Sequence, residues 1–203
     1  MQPTIIGLTG NIGTGKTTVL HLLRRYGAHT IDADQVAHQV MQPGGAAFDA
    51  IVRAFGEEIR NRRGEIERNR LGQIVFADPN KLAQLEQILH PVIFAHIQAE
   101  VQAAVAPVVV IEAIKLLEAG MSATICDVIW VVTSPEEQQI ERLMRERGMS
   151  RSAAQARMRA QSPQAFKISQ ADVVIDNSGS LAHLEAQVQT AWQALGLPLP
   201  TPA

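Results

Sequence analysis

Short apolar runs rich in Val and Ile recur along the chain, and stretches whose apolar residues follow a helical spacing separate them. Runs of this kind are typical of strands that are buried in a parallel sheet. They span residues 4–9, 29–34, 108–112, 127–133 and 172–176. Their alternation with helical patterns predicts an α/β fold, with a mostly parallel sheet of about five strands and helices on both faces.

One interval between predicted strands, from Asp32 to Val108, is far longer than a crossover helix requires. Its pattern predicts only helices, one of which carries Pro91 in its first turn. We interpret residues 44–105 as a helical, substrate-binding insertion over the carboxyl edge of the sheet, where open α/β sheets bind ligands. The core is then predicted to comprise the segments 1–43, 106–140 and 168–196.

A glycine-rich stretch, GLTGNIGTGKTT, follows the first predicted strand and precedes a helical pattern. Gly10, four further residues and then Gly15-Lys16-Thr17 have the spacing of a phosphate-binding loop. Backbone amides are expected to hold the β-phosphate at the helix N-terminus, Lys16 to reach the β- and γ-phosphates, and the Thr17 hydroxyl to bind Mg²⁺. The residues predicted to bind the nucleotide are Gly13, Thr14, Gly15, Lys16, Thr17 and Thr18.

Polar residues end three of the predicted strands. Asp32 and Asp34 close the second strand and Glu112 closes the third. Asp34 is our candidate for the base that accepts the proton of an attacking hydroxyl. Asp32 or Glu112 is expected to bind Mg²⁺ through water, although a helix N-cap or a plain strand end would explain the same residues. Asn177, after the last strand, either contacts an adenine edge or forms a simple turn.

Most basic residues fall in two short segments, 60–70 and 142–167. The second segment has the pattern of two helices joined at Gly148, with Ser150 able to cap the later helix. A solvated helix face explains any single arginine, but the cluster favours phosphate binding because guanidinium groups fork onto phosphate oxygens. We therefore predict a helical lid over residues 141–167 that closes during phosphoryl transfer.

The composition narrows the possible functions. The 203 residues carry a net charge of −2 and only 4% are aromatic, which argues against general nucleic-acid or membrane binding. The single cysteine, Cys126, is expected to be a buried structural thiol, and Trp130 and Trp192 to lie in the core. The six histidines show no metal-ligand spacing.

Neither a signal peptide nor an apolar run long enough to span a membrane is visible. We therefore expect a cytoplasmic protein that is a monomer or a small homo-oligomer. The Pro-rich tail, residues 197–203, is expected to be disordered.

Eight stretches occur in a characteristic order: IGLTGNIGTGKTTV, IDADQVAHQVMQPGGAAF, FGEEI, LGQIVFADP, LEQILHPVI, LLEAG, QIERLMRERGMS followed by RAQ, and ADVVIDNSGSL. From about residue 4 to 195, the chain thereby resembles the dephospho-coenzyme A kinase family. The resemblance implies a P-loop nucleotide kinase fold. It also implies a small-molecule substrate, dephospho-coenzyme A, whose ribose 3′-hydroxyl is phosphorylated by ATP with Mg²⁺, the final step of coenzyme A synthesis.

The resemblance also implies roles for individual residues. Lys16, Asp34 and Arg142 are expected to be catalytic, Asp34 as the base and Arg142 as a lid arginine whose contact forms mainly in the transition state. Asn177 is implied to lie near adenine. The residues implied to bind the acceptor are Thr9, Asp34, Arg68, His90, Leu116 and Leu117. Where the family commonly has V-P-L-L-F-E, this chain has IEAIKLLEAG, so that Lys115 could meet a phosphate of the substrate.

A phosphate-binding loop also occurs in proteins with two other functions. Composition and spacing also allow another P-loop kinase that acts on a nucleoside or a nucleoside monophosphate. A GTP-dependent switch is disfavoured, because the chain has no Asn/Thr-Lys-x-Asp stretch to recognise guanine and because its arginine-rich segment favours a transferase.

Overall fold

The computed structural model describes residues 2–119, 123–197 and 199. Five strands form one sheet in the order β2-β3-β1-β4-β5. The strands are β1 Thr4–Thr9, β2 His29–Asp32, β3 Val108–Glu112, β4 Val128–Thr133 and β5 Val173–Asp176. The predicted α/β class and the predicted strands are thus confirmed, except that the second strand ends at Asp32 rather than at Asp34.

The described residues form ten α-helices. They are α1 Lys16–Arg25, α2 Ala33–Val40, α3 Phe48–Phe55, α4 Arg68–Ala77, α5 Pro79–Ala103, α6 Leu116–Ala119, α7 Glu136–Arg147, α8 Arg151–Arg159, α9 Gln164–Ser169 and α10 Leu181–Ala194. None of the helices in this part of the chain is both long and apolar enough to cross a membrane.

Strand β1 lies between β3 and β4 and is parallel to both. Its Leu8 is in register with Glu112 of β3 and with Trp130 of β4. The apolar run of β3 is fully buried from Val108 to Ile111, as expected for a strand that is covered on both faces. The register therefore places the ends of β1 and β3 side by side, where the glycine-rich loop begins.

Two aspartates fix the amino ends of neighbouring strands. Asp127 precedes β4, and its Oδ2 accepts a hydrogen bond of 2.7 Å from the amide of Ile5 in β1. Asp172 precedes β5 and accepts a bond of the same length from the amide of Ile129 in β4. Each carboxylate satisfies an amide at the end of its ladder, which favours one register over its neighbours.

Backbone packing divides the chain into two compact units. The first unit comprises Met1–Ile31 and Ala104–Ala203, and the second comprises Asp32–Ala103. The main core of the first unit contains both tryptophans, Trp130 and Trp192, each at most 1% exposed, which confirms their predicted burial. The second unit contains α2 to α5, with α5 packed against α2, α3 and α4.

The predicted helix boundary at Pro91 is wrong. Helix α5 runs without interruption from Pro79 to Ala103, with Pro91 inside it. Proline lacks the amide that would donate to the carbonyl of Gln87, and this loss usually ends or kinks a helix. Here the packing of α5 against three other helices of its unit outweighs the local cost.

Only two residues of the predicted tail, Leu197 and Leu199, are described, and both pack against the main core. The remainder of the expected disordered segment over 197–203 lies outside the described residues. So does Gly120, which ends the LLEAG stretch.

Candidate active site

The glycine-rich loop connects β1 to α1 and has a backbone that only glycine adopts readily. Gly10, Gly13 and Gly15 have φ angles of 149°, 78° and 93°. A Cβ on Gly15 would lie 2.1 Å from Nδ2 of Asn177, and one on Gly10 would lie 2.4 Å from the carbonyl oxygen of Val132. The glycine spacing in the sequence is therefore required both by the backbone conformation and by close neighbours.

Lys16, the first residue of α1, has a largely buried side chain with polar partners. Its Nζ donates a hydrogen bond of 3.0 Å to the carbonyl of Gly10 and lies 3.5 Å from Oε1 of Glu112. The two side chains are 10% and 12% exposed. The low dielectric strengthens the attraction between them, and the amides at the N-terminus of α1 lack intrahelical acceptors and can bind an anion.

The carbonyl groups of the same loop receive hydrogen bonds from Arg142 and Asn177. Nη1 of Arg142 donates to the carbonyls of Gly13 and Thr14, at 3.1 and 3.2 Å. Nη2 donates to the carbonyl of Asn177 at 2.8 Å, and Nδ2 of Asn177 donates to the carbonyl of Thr14 at 2.8 Å. These hydrogen bonds to its carbonyls stabilise the backbone conformation of the loop.

Helices α7 and α8 form the predicted helical pair. Gly148 ends α7 with a φ of 62°, and Oγ of Ser150 caps α8 by accepting a bond of 3.2 Å from the amide of Ala153. A small apolar cluster joins the pair to the glycine-rich loop, and its members are Ile12, Ile140, Leu143 and Ala154. The pair is thus attached to the loop by buried packing, while its role as a lid remains a prediction.

Arg142 is the exception among the basic residues of α7 and α8. It is half-buried, whereas the others are exposed; these are Arg145, Arg147, Arg151, Arg157 and Arg159. Both terminal nitrogens of Arg151 bond the carboxylate of Glu137, at 2.7 and 2.6 Å. This hydrogen bonding lowers the pKa of Glu137, and the contact joins α7 to α8.

The two aspartates of the IDAD stretch have different positions. Asp32 ends β2 and caps α2, because its Oδ1 accepts a hydrogen bond of 2.9 Å from the amide of Gln35. Asp34 lies in the first turn of α2 rather than at the end of the strand. The N-cap alternative is therefore correct for Asp32, and the predicted role of Asp34 as a base remains a prediction.

Two residues predicted to bind the acceptor have structural partners in the first unit. The fully buried hydroxyl of Thr9 donates to the carbonyl of Ile114 at 3.2 Å. Leu116 is 1% exposed, and one of its methyl carbons would lie 2.7 Å from a Cβ on Gly7. Leu117 is half-buried and Lys115 is exposed. Contact of these residues with an acceptor remains a prediction.

Arg68 and His90 lie in the second unit, where Arg68 is the exposed first residue of α4 and His90 is half-buried in α5. Near Arg68, an open pocket is lined by Arg60, Arg62, Arg63 and Arg70 together with Asn61, Glu65 and Glu67. Exposed ion pairs of 2.6 and 2.8 Å join Arg60 to Glu57 and Arg70 to Glu67.

The comparisons with known proteins agree with this geometry. A sequence model of the family described as CoaE, dephospho-CoA kinase, matches residues 4–183. The chain belongs to the dephospho-CoA kinase family. A dephospho-CoA kinase of Streptomyces avermitilis is 43% identical over 94% of this chain and 93% of its own length.

Two solved structures of similar length share the fold. The structure of TT1252 from Thermus thermophilus has a TM-score of 0.86 and 35% identity, and covers 96% of this chain and 98% of its own. A dephospho-CoA kinase from Campylobacter jejuni has a TM-score of 0.67 and 26% identity, over 94% of this chain and 96% of its own.

Four polar residues of this dephospho-CoA kinase family member were missed as site residues. Ser134 and Gln138 bond the guanidinium of Arg142, at 3.2 and 3.3 Å. Gln161 accepts from the amide of Ile12 at 2.9 Å, and the buried Gln139 donates to the carbonyl of Ser134 at 2.7 Å. For Ser134, Gln138 and Gln139, the signal available was the SPEEQQ stretch after β4, where polar side chains recur at one helix start.

Cys126 is half-buried, and burial together with the charge of Asp127 raises its pKa to about 12. The thiol therefore stays protonated at neutral pH, which agrees with the predicted structural role rather than a reactive one.

Proposed function

We propose that this protein transfers the γ-phosphoryl group of ATP to the ribose 3′-hydroxyl of dephospho-CoA, giving CoA and ADP. The observation that carries the proposal is the glycine-rich loop with its partly buried Lys16–Glu112 pair, in a chain of the dephospho-CoA kinase family. The identity of the acceptor distinguishes this proposal from the alternative, a kinase of nucleosides or nucleoside monophosphates, which the family match disfavours.

The first unit holds the phosphate donor. The amides at the start of α1 bind the β-phosphate, and Lys16 places its charge between the β- and γ-phosphates. The carboxylate of Glu112 keeps this ammonium oriented from the other side. Asn177 and Arg142 hold the loop beneath the nucleotide, since both bond its carbonyls.

Thr17 and Glu112 are the residues that would hold Mg²⁺. Thr17 is exposed in the first turn of α1, so its hydroxyl can bind the ion, and Glu112 would act through water. The described residues contain no cluster of three or more His, Cys, Asp or Glu that could hold a metal. This donor set suits Mg²⁺, which often relies on few protein ligands plus substrate phosphates, and the bound ion would neutralise charge on the β- and γ-oxygens.

In the chemical step, the 3′-oxygen of the acceptor forms a bond to the γ-phosphorus, and the bond from that phosphorus to the β–γ bridging oxygen breaks. The leaving electron pair stays on ADP, and the proton of the hydroxyl passes to the carboxylate of Asp34. As the resemblance implies, the residues that bind the acceptor are Arg68, His90, Thr9, Leu116 and Leu117. Closure of α7 and α8 excludes water from the reaction.

A panel of acceptors tests the activity. With ATP and Mg²⁺, we expect dephospho-CoA to cause stoichiometric ADP release and to yield CoA, with the new phosphate placed on the 3′-oxygen by ³¹P NMR. Nucleosides and nucleoside monophosphates are the comparison substrates. Phosphorylation of those compounds without phosphorylation of dephospho-CoA would overturn the proposal in favour of the alternative kinase.

The paired aspartates test the base. We expect Asp34→Asn to lower kcat by about 100- to 10,000-fold, the usual contribution of general base catalysis, with little change in ATP affinity. Asp32→Asn is the matched control, since asparagine caps a helix as well as aspartate does and this variant should keep most of the turnover. Near-normal activity of Asp34→Asn would remove Asp34 from the role.

A further inference from the structure

Lys167 is a buried cation to which the proposed reaction assigns no part. It lies in α9 and its side chain is fully buried. Its Nζ donates a hydrogen bond to the carbonyl of Ile114 and lies 3.2 Å from Oε1 of Glu118. A buried ammonium is tolerated only where partners replace its water, so these two contacts are specific requirements of the site.

Both partners of Lys167 belong to the segment that follows β3, residues 113–118, which we call the β3 loop. The carbonyl of Ile114 also accepts the hydroxyl of Thr9, at the end of β1. The amide of Ala113 donates to the carbonyl of Leu8 at 3.2 Å. The β3 loop begins directly after Glu112, the partner of Lys16, so its anchoring also fixes the end of β3.

Lys167 ends a second segment, residues 161–167, which we call the return segment because it leads from α8 back towards the sheet. Its first residues bond the glycine-rich loop: Gln161 accepts from the amide of Ile12 at 2.9 Å, and the carbonyl of Ser162 accepts from Nδ2 of Asn11 at 3.1 Å. The return segment therefore bonds the phosphate-binding loop at one end and the β3 loop at the other.

Glu118 interacts with both ends of the return segment, through Ser162 and Lys167. Burial acts to raise the pKa of Glu118, but hydrogen bonds from the Ser162 side chain and its own backbone, together with Lys167, outweigh burial and lower the pKa. The carboxylate is therefore ionised at neutral pH and attracts the ammonium of Lys167.

We propose that Lys167 is a positioning residue, which holds the β3 loop, and through it Glu112 beside Lys16, in the arrangement used for phosphoryl transfer. The inference rests on the proposed function for its kinetic consequences, because the hydrogen bond and the ion pair of Lys167 are both made to the β3 loop. Its physical basis is the ammonium bonded to Ile114, which an uncharged side chain of the same length cannot replace.

Two variants separate positioning from simple stability. Lys167→Met leaves the partly exposed Glu118 carboxylate without its cation and removes the hydrogen bond to the carbonyl of Ile114, so we expect a lower unfolding temperature together with a kcat reduced by about tenfold, the scale of one charge-assisted hydrogen bond. In Lys167→Met combined with Glu118→Leu, no unpaired charge remains and the unfolding temperature should recover. The kcat should stay low, with an almost unchanged KM for ATP, because Ile114 still lacks its ammonium.

The exposed pair Arg25–Glu185, 3.4 Å apart, supplies the matched control. Replacing it by Met and Leu removes a cation and a carboxylate of the same unit without touching the β3 loop, and should leave both kcat and the unfolding temperature close to wild type. If the Lys167→Met, Glu118→Leu double variant regains wild-type kcat along with its stability, the pair is merely structural and the proposal is wrong.

Amide hydrogen exchange gives a readout that needs no acceptor. We expect the amides of residues 113–118 to exchange about tenfold faster in the double variant than in the wild type, and those of α10 to remain unchanged. Unchanged exchange in the β3 loop would overturn the positioning role. Failure of the wild-type protein to phosphorylate dephospho-CoA would instead count against the proposed function, and the exchange measurement would still decide the role of Lys167.

Discussion

The two units of the molecule differ in how their polar groups are held. In the first unit, the groups of the candidate site are buried and bonded to one another: Thr14 and Lys167 are fully buried, and Lys16 and Arg142 are bonded to backbone carbonyls. In the second unit, by contrast, Arg62, Arg63 and Arg68 are exposed. The groups of the first site are thus fixed by bonds within the protein, whereas these three arginines of the second unit are exposed to solvent and, on the proposed function, would be ordered by the acceptor.

This difference matches what each unit is proposed to recognise. A triphosphate is common to a large class of kinases, and a rigid loop whose amides already face one way binds it at low entropic cost. An acceptor with a long, flexible arm and a diphosphate suits exposed guanidinium groups, which fork onto phosphate oxygens from several directions. Substitutions at Lys16 and Arg142 should therefore affect catalysis, and substitutions at the exposed arginines of the second unit should affect acceptor binding.

The largest effect expected within the first unit tests the organised site. Lys16→Met removes the cation that lies between the loop and Glu112, so we expect kcat to fall by about 100- to 1,000-fold, as when a preorganised charge-stabilising donor is lost. The measurement is steady-state ADP release, with thermal unfolding to verify the fold. Lys81→Met, at an exposed lysine of α5, is the control and should be close to wild type. A loss of less than tenfold in Lys16→Met would contradict the assignment.

A smaller effect is expected at Arg142, where the sequence and the structure favour different roles. Its bonds to the carbonyls of Gly13, Thr14 and Asn177 predict that Arg142→Ala loosens the loop, raising the KM for ATP and lowering kcat by about tenfold each. Arg145→Ala removes an exposed guanidinium one turn later and serves as the control. If kcat falls while the KM for ATP stays constant, Arg142 instead acts mainly in the transition state, as the resemblance implied.

The strands and the glycine-rich loop could be predicted because each depends on neighbours in the sequence. Apolar runs of β-branched residues mark the buried strands, and the spacing of Gly10, Gly15 and Lys16 is local. The bonds from Arg142 and Asn177 to Thr14, in contrast, join residues that are more than 100 positions apart. No local pattern encodes such contacts. The position of Asn177 after the last strand and the resemblance indicated that the two residues matter, but neither indicated their partners.

The burial of Lys167 could not be predicted for a related reason. In the sequence it belongs to a basic segment whose arginines, except Arg142, are exposed. Only the packing of α9 against β4 and the bond to the carbonyl of Ile114 distinguish Lys167 from these exposed arginines. Pro91 is the opposite case. The sequence indicated a clear local preference for a helix start, but the tertiary packing of α5 overrides that preference.

The smallest expected effect, at Pro91, is a gain of stability rather than a loss of activity. In Pro91→Ala the new amide can donate to the carbonyl of Gln87, and because the site is exposed, the change leaves no cavity. We expect the free energy of unfolding to rise by about 1–2 kcal/mol, part of the ~3 kcal/mol by which proline disfavours a helix interior relative to alanine. Urea unfolding followed by circular dichroism measures this change.

Ala95→Pro is the mirror-image control, at an exposed alanine of the same helix, and should lower the free energy of unfolding. If Pro91→Ala does not raise the free energy of unfolding, the proline costs α5 no stability at this position, as would be expected at the start of a separate helix. If stability rises while the KM for dephospho-CoA also rises, the proline is retained for acceptor binding at the expense of stability. That result would sharpen the contrast between the units, since the second would then give up stability for recognition, whereas in the first the bonds that hold the site also stabilise the fold.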